Sequence, residues 1–160
     1  MLDGHLRRWE RVFYIIILVL ALLSRFYGLG ERVISHDESI HTKFSWNLYE
    51  GVGFQHNPMM HGPLLFEVTA LGYFLFGISD FTSRIYPALA GVALVLTPLL
   101  FRKWLGRSGA ALGAGMLLIS PSISYYSRYI RHDAPVMLFA ILWIWVIFKY
   151  LDDGKDHWLY

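Results

Sequence analysis

The sequence contains no cysteine, which excludes disulfides, thiolate metal sites and cysteine nucleophiles and leaves the redox compartment unspecified. Charge is also scarce: 16% of residues are charged against 56% hydrophobic, with a mean hydropathy of +0.43. That balance is well to the apolar side of an ordinary soluble domain and points to a bilayer. A net charge of +2 over 160 residues does not argue for nucleic acid. No P-loop, GxGxxG spacing, internal repeat or low-complexity tract is present, and none of the strong zinc or calcium ligand spacings occurs. The chemistry therefore falls to carboxylates, histidine, arginine, serine or tyrosine.

What is present is a series of apolar runs. A helix crosses a hydrocarbon core in roughly 20 residues, and four stretches meet that need: 12–30, 85–101, 108–127 and 134–151. The first follows Arg7, Arg8 and Arg11, but LLSRFYGLG offers no small-x-small cleavage site, so it is read as a retained anchor. A fifth run, 63–79, is short and carries Glu67, a costly residue in mid-membrane. Reading it as a re-entrant or interfacial helix puts Arg7, Arg8, Arg11, Arg102, Lys103, Arg107, Lys149 and Lys155 all on the cytoplasmic side. The expected fold is an all-α membrane protein of four transmembrane helices, with two further helices in an outer loop spanning 31–84. The expected location is the plasma membrane, multi-pass, with the amino terminus cytoplasmic.

The outer loop opens with Ser35-His36-Asp37-Glu38, which has capping-box spacing, and Ile40, Phe44 and Leu48 form a one-sided stripe that stops at Gly51. The spacing predicts an amphipathic surface helix over 36–50. Gly109, Gly113 and Gly115 in the third span suit close helix packing.

Asp37 and Glu38 are candidate catalytic carboxylates, although acids in a first helical turn are also favoured by the helix dipole and the capping box. Five of seven histidines (His36, His41, His56, His61, His132) fall on the same predicted face, with Lys43, Arg84, Arg128, Arg131 and Asp133. Ionisable groups gathered at one membrane boundary suggest a site that handles an anion and a proton. Arg128 and Arg131 at the end of the third span read either as snorkelling to head groups or as ligands of a lipid phosphate. Asp37 and His41, four apart on one helix, leave a divalent metal open, but no cofactor is expected.

Four segments, HDESIH, HGPLLFEVTALGYFLFG, SRIYPALAGVALVL and SPSISYYSRYIRHDAPVMLF, occur in an order that resembles the GT-C integral membrane glycosyltransferases. The likeness is to the protein O-mannosyltransferase and aminoarabinose transferase (glycosyltransferase 39-like) group, and the group described as flippase-activity-associated proteins is similar over the same region. HGPLL departs from the family's usual HPPL, with Gly62 where proline is common, which bears on His61. The resemblance implies sugar transfer from a polyprenyl-phosphate donor to a lipid, glycan or protein acceptor on the outer face, by inverting displacement. Asp37 matches the family's general base, with Glu38 beside it and Asp133 as the acid of the second outer turn. Arg128, Arg131, Arg84 and His61 would hold the lipid phosphate. Family members are longer, so the chain is expected to be an amino-terminal module. A different class, a non-enzymatic protein that binds or flips a polyprenyl lipid, would use the same cluster without chemistry.

Overall fold

The structure, a computed structural model, describes residues 6–54 and 62–158. Among them seven α-helices follow in order: α1 Arg8–Phe26, α2 His36–Tyr49, α3 Leu64–Phe76, α4 Asp80–Leu96, α5 Arg102–Ile119, α6 Pro121–Ser127 and α7 Asp133–Asp153, with a 3₁₀ turn at Thr97–Leu99 and another at Asp156–Trp158. Two helical stretches, Asp80–Leu99 and Asp133–Asp153, are long and apolar enough by themselves to cross a membrane.

Helix α4 is the centre of the bundle. It packs against α1, α3, α5, α6 and α7, and two-thirds (67%) of its apolar window is buried, against 11% for α7. The core joins Tyr14, Ile17 and Ala21 of α1 to Val92 and Val95 of α4 and Ala114 of α5. The outside is apolar as well. Ile15, Ile16 and Leu23 of α1, Met116 and Ile119 of α5, and Trp143 and Leu151 of α7 are all exposed. Patches of this extent are untenable in water and natural against lipid tails.

The two ends of the bundle differ in charge pattern. At one end Glu10 near the start of α1 receives Arg102 Nε and Nη2, each at 3.0 Å, while Lys103 meets Asp152 near the end of α7. Helix α1 then rises about 28 Å at 1.5 Å per residue, and its far end reaches Arg128, which ties the third and fourth long segments to it. The basic groups predicted to share one face do cluster in this way: Arg102, Lys103 and Arg107 lie around the foot of α1.

Helix α3 stays at the other end. At 13 residues it is about 20 Å long. Phe66 near its start meets His41 and His132, and Tyr73 near its end shares a 2.7 Å hydrogen bond with Ser83 in the first turn of α4. Both ends therefore touch the same layer, and the helix does not run the length of the bundle. Its last helical residue is Phe76, three short of the expected 79, and it is capped by Gly77, whose φ of 80° is cheap only for glycine.

Two expectations change. The predicted 108–127 run is not one helix: Pro121 disfavours helical backbone at Ser120, which sits at φ −60°, ψ 119°, so α5 ends at Ile119 and Ser120 caps α6. Gly106, at φ 71°, also separates the 102–105 turn from the rest of α5. The second change concerns α2. Its most buried face is Glu38, His41 and Ser45, while the Ile40, Phe44 and Leu48 stripe is only half-buried on the flank. Glu38 turns inward because it meets charged partners, described next, while His41 packs against the Phe66 and His132 rings and Ser45 bonds the His41 carbonyl.

Candidate active site

The capping box of α2 forms as the spacing predicts: the Glu38 amide donates to Ser35 Oγ, and Glu38 Oε2 accepts from the Ser35 amide at 3.1 Å. The same carboxylate is the hub of a buried network. Arg84 Nε and Nη2 grip its two oxygens at 2.9 and 3.1 Å, Arg32 Nη2 donates at 2.8 Å, and the Ile130 amide donates at 3.2 Å. Glu38 and Arg84 side chains are 0 and 1% exposed. Arg84 uses its remaining nitrogen, Nη1, on the carbonyls of Leu29 and Arg32. Every donor and acceptor that counts is satisfied, as burial of an ion pair requires. Burial by itself would raise the Glu38 carboxyl, but the hydrogen bonds from Arg84 and from the Ser35 and Ile130 amides hold it below its ordinary value. The pair thus staples the segment after α1, α2, α4 and the α6–α7 turn into one unit.

Asp37, one residue earlier, turns about 100° around the helix and is 57% exposed. Arg131 stands between it and Asp133: Nη1 is 3.8 Å from Asp37 Oδ2, and Nε is 3.4 Å from Asp133 Oδ2. Asp133 lies in the first turn of α7, where the helix dipole favours a negative charge. The two acids on which the sequence reading relies, 96 positions apart, therefore share one arginine.

The other expected site residues divide. Arg128 donates to the carbonyls of Ser24 and Gly28 at 3.0 and 3.2 Å, closing the end of α1, and Arg84 is committed to Glu38. His61 lies outside the described residues, as does His56. His41 is buried with its ring 5.6 Å from that of His132 and 5.7 Å from that of Phe66, apart from the solvent that reaches Asp37. Among the described residues no three acidic or histidine side chains converge to hold a metal ion.

Three residues passed over in the sequence reading support the site. Arg32 pairs with Glu38 and lies over the Tyr129 ring, 4.9 Å from its centroid. Tyr129 in turn hydrogen-bonds Ser35, the cap of α2. Arg25, fully buried, donates to the carbonyls of Leu118 and Leu117 at 3.0 and 3.2 Å. Leu117 would ordinarily receive the amide of residue 121, but Pro121 has none. An arginine 92 residues away supplies the missing donor.

A profile of dolichyl-phosphate-mannose-protein mannosyltransferases matches residues 60–160, a span that includes α3, α4, the Arg131 turn and Asp133. The chain belongs to this family. Over 154 residues it is 28% identical to an uncharacterized protein of Aquifex aeolicus, covering 89% of this chain and 30% of that protein. It is 29% identical to a polyprenol-phosphate-mannose–protein mannosyltransferase of Mycolicibacterium smegmatis, over 79% of this chain and 26% of the relative. A putative mannosyltransferase of Bacillus subtilis is 24% identical, over 94% and 22%. The chain thus spans less than a third of the length of these family relatives. No solved structure matches it significantly.

Proposed function

We propose that this chain is the amino-terminal transmembrane module of a mannosyltransferase that takes mannose from a polyprenyl-phosphate donor, with Asp37 as general base. The observation that carries the reading is the bridge from Asp37 through Arg131 to Asp133. An exposed carboxylate beside a half-exposed guanidinium offers the two functions that the reaction needs. Asp37 takes the proton of the acceptor hydroxyl as its oxygen attacks the anomeric carbon, and the bond to the lipid phosphate breaks with inversion. Arg131 neutralises the phosphate that departs, and Asp133 orients Arg131. Glu38 and Arg84 position this pair by fixing α2 against the α6–α7 turn, and Arg128 fixes the turn against α1. The end that carries Asp37 and Asp133 faces the outer side of the plasma membrane and the opposite end the cytoplasm, in four crossings, by the excess of Lys and Arg at that opposite end. The acceptor is a hydroxyl of a protein or glycan.

The test is Asp37→Asn in the full-length protein, measured as mannose transfer from radiolabelled polyprenyl-phosphate mannose. Loss of a general base costs about 10²- to 10⁴-fold in rate, with donor binding kept. Transfer at the wild-type rate would rule out Asp37 as the base, and lipid binding with no mannose transfer by the wild-type protein would favour a non-enzymatic lipid carrier instead.

A further inference from the structure

The basic end of the bundle holds a cavity of about 380 Å³ that the transfer reaction does not use. Arg102, Lys103 and Arg107 of α5 and Lys149 of α7 line it, over a floor that includes Leu99 and Leu100. Ordinary snorkelling cations point separately to water. These four converge, and the local backbone explains why. Gly106 at φ 71° breaks α5 between Lys103 and Arg107, so cations on both sides of the break turn to one space. Buried Glu10 fixes the arrangement from α1: it holds Arg102 through two bonds of 3.0 Å and lies 3.9 Å from Arg107 Nε.

Among the described residues, Glu10 serves both arginines and Asp152 serves Lys103. Lys149 instead lies over the Trp145 and Trp158 rings, at 5.9 and 5.6 Å. Arg107 Nε is buried with no hydrogen-bond partner, a donor that an oxyanion would satisfy. A preorganised guanidinium pair with an ammonium beside it, above leucines, is a setting for a phosphate whose remainder is apolar.

We propose that this cavity is a phosphate-anion site that takes the head group of an anionic phospholipid, separate from the donor site at the opposite end. Bound there, the lipid ties α5 to α1 and α7 and stabilises the bundle.

The experiment uses the detergent-purified full-length protein reconstituted into nanodiscs of phosphatidylcholine alone or with about one-third phosphatidylglycerol, with thermal unfolding as readout. A separate arm adds inorganic phosphate to the phosphatidylcholine sample. Phosphatidylglycerol is expected to raise Tm by several degrees, an increment that shrinks in high salt and falls at least fivefold in the double variant Arg107→Gln/Lys149→Gln. Arg107→Lys keeps most of it, and Lys43→Gln, an exposed lysine at the other end, keeps all of it. An equal rise with inorganic phosphate, lost in the same double variant, assigns the site to soluble phosphate. A phosphatidylglycerol increment unchanged in the double variant, or no increment from either anion, overturns the proposal. Baseline Tm in phosphatidylcholine separates damage to the fold from loss of the increment.

Discussion

Gly91 of α4 and Ser127 of α6 approach so closely that a β-carbon on the glycine would lie 2.0 Å from the serine Oγ and 2.3 Å from its Cβ. No side chain fits there. Ser127 is fully buried, and the contact sets α6, and through it the Arg128–Asp133 turn, hard against the central helix. Gly91→Ala is expected to destabilise by about 1–3 kcal/mol or more, the usual cost of overpacking. Ser127→Ala should not relieve it, because the serine Cβ is itself in the way. Ser127→Gly should, since the next atom, its Cα, is 3.4 Å off. Thermal unfolding of the four proteins in one detergent checks this.

Removing the Glu38 charge leaves Arg84 buried without a counter-ion. Glu38→Gln should lose about 3–5 kcal/mol, the cost of breaking a buried pair from one side, whereas Asp37→Asn should leave Tm nearly unchanged because Asp37 is exposed. Acid gives a second signature. The folded Glu38 value is depressed from an ordinary 4.5, so its contribution is complete above that pH and lost as pH falls through the lower folded value. Wild-type stability should therefore drop with acidification below about 4.5, and the Glu38→Gln curve should be flatter there.

Arg25→Met would strip the Leu117 and Leu118 carbonyls of their donor. The expected cost is about 1–3 kcal/mol for each buried acceptor left unpaired. Pro121→Ala restores an amide that can reach Leu117, so the double variant should recover part of the loss. A double-mutant cycle by unfolding measures that coupling; strict additivity would disprove it.

Arg131→Lys keeps a charge but not the planar fork that spans two carboxylates. It is expected to reduce mannose transfer by at least tenfold and to leave Tm close to wild type, since the side chain is half-exposed and its contacts, at 3.4 and 3.8 Å, are loose. Transfer assays alongside unfolding distinguish this from Glu38→Gln, where both should fall.

How far the sequence could be read depended on whether the relevant partner was local. The start of α2 was legible because a capping box is written within four residues, and the helical character of each apolar run followed from its length. The division of labour between Asp37 and Glu38 was not, because neighbours on a helix point about 100° apart and only the position of Arg84, 46 residues on, decides which one is inside. The contacts of Arg128 were hidden for a similar reason: the carbonyls of Ser24 and Gly28 that engage it are about a hundred residues away. The break at Ser120–Pro121 did have a local signal in the proline, which hydropathy averaged over the run concealed. Arg131 reaches both Asp37 and Asp133 because the start of α2 and the α6–α7 turn lie at the same end of the bundle, a proximity that the order of residues does not announce.

The Glu38–Arg84 pair also imposes an order on how the chain is built. Glu38 emerges from the ribosome first, and its counter-ion follows 46 residues later, beyond all of α3. Before α4 arrives the charged partner at hand is Arg32, whose side chain is 42% exposed, and a pair with so exposed a partner leaves the carboxylate hydrated while α3 is made. Docking of α4 then dehydrates both charges at once. Burial of Glu38 is complete only once the Ile130 amide has also been made, 92 residues after it, so the end of the bundle that carries Asp37 closes after most of the chain has been synthesised.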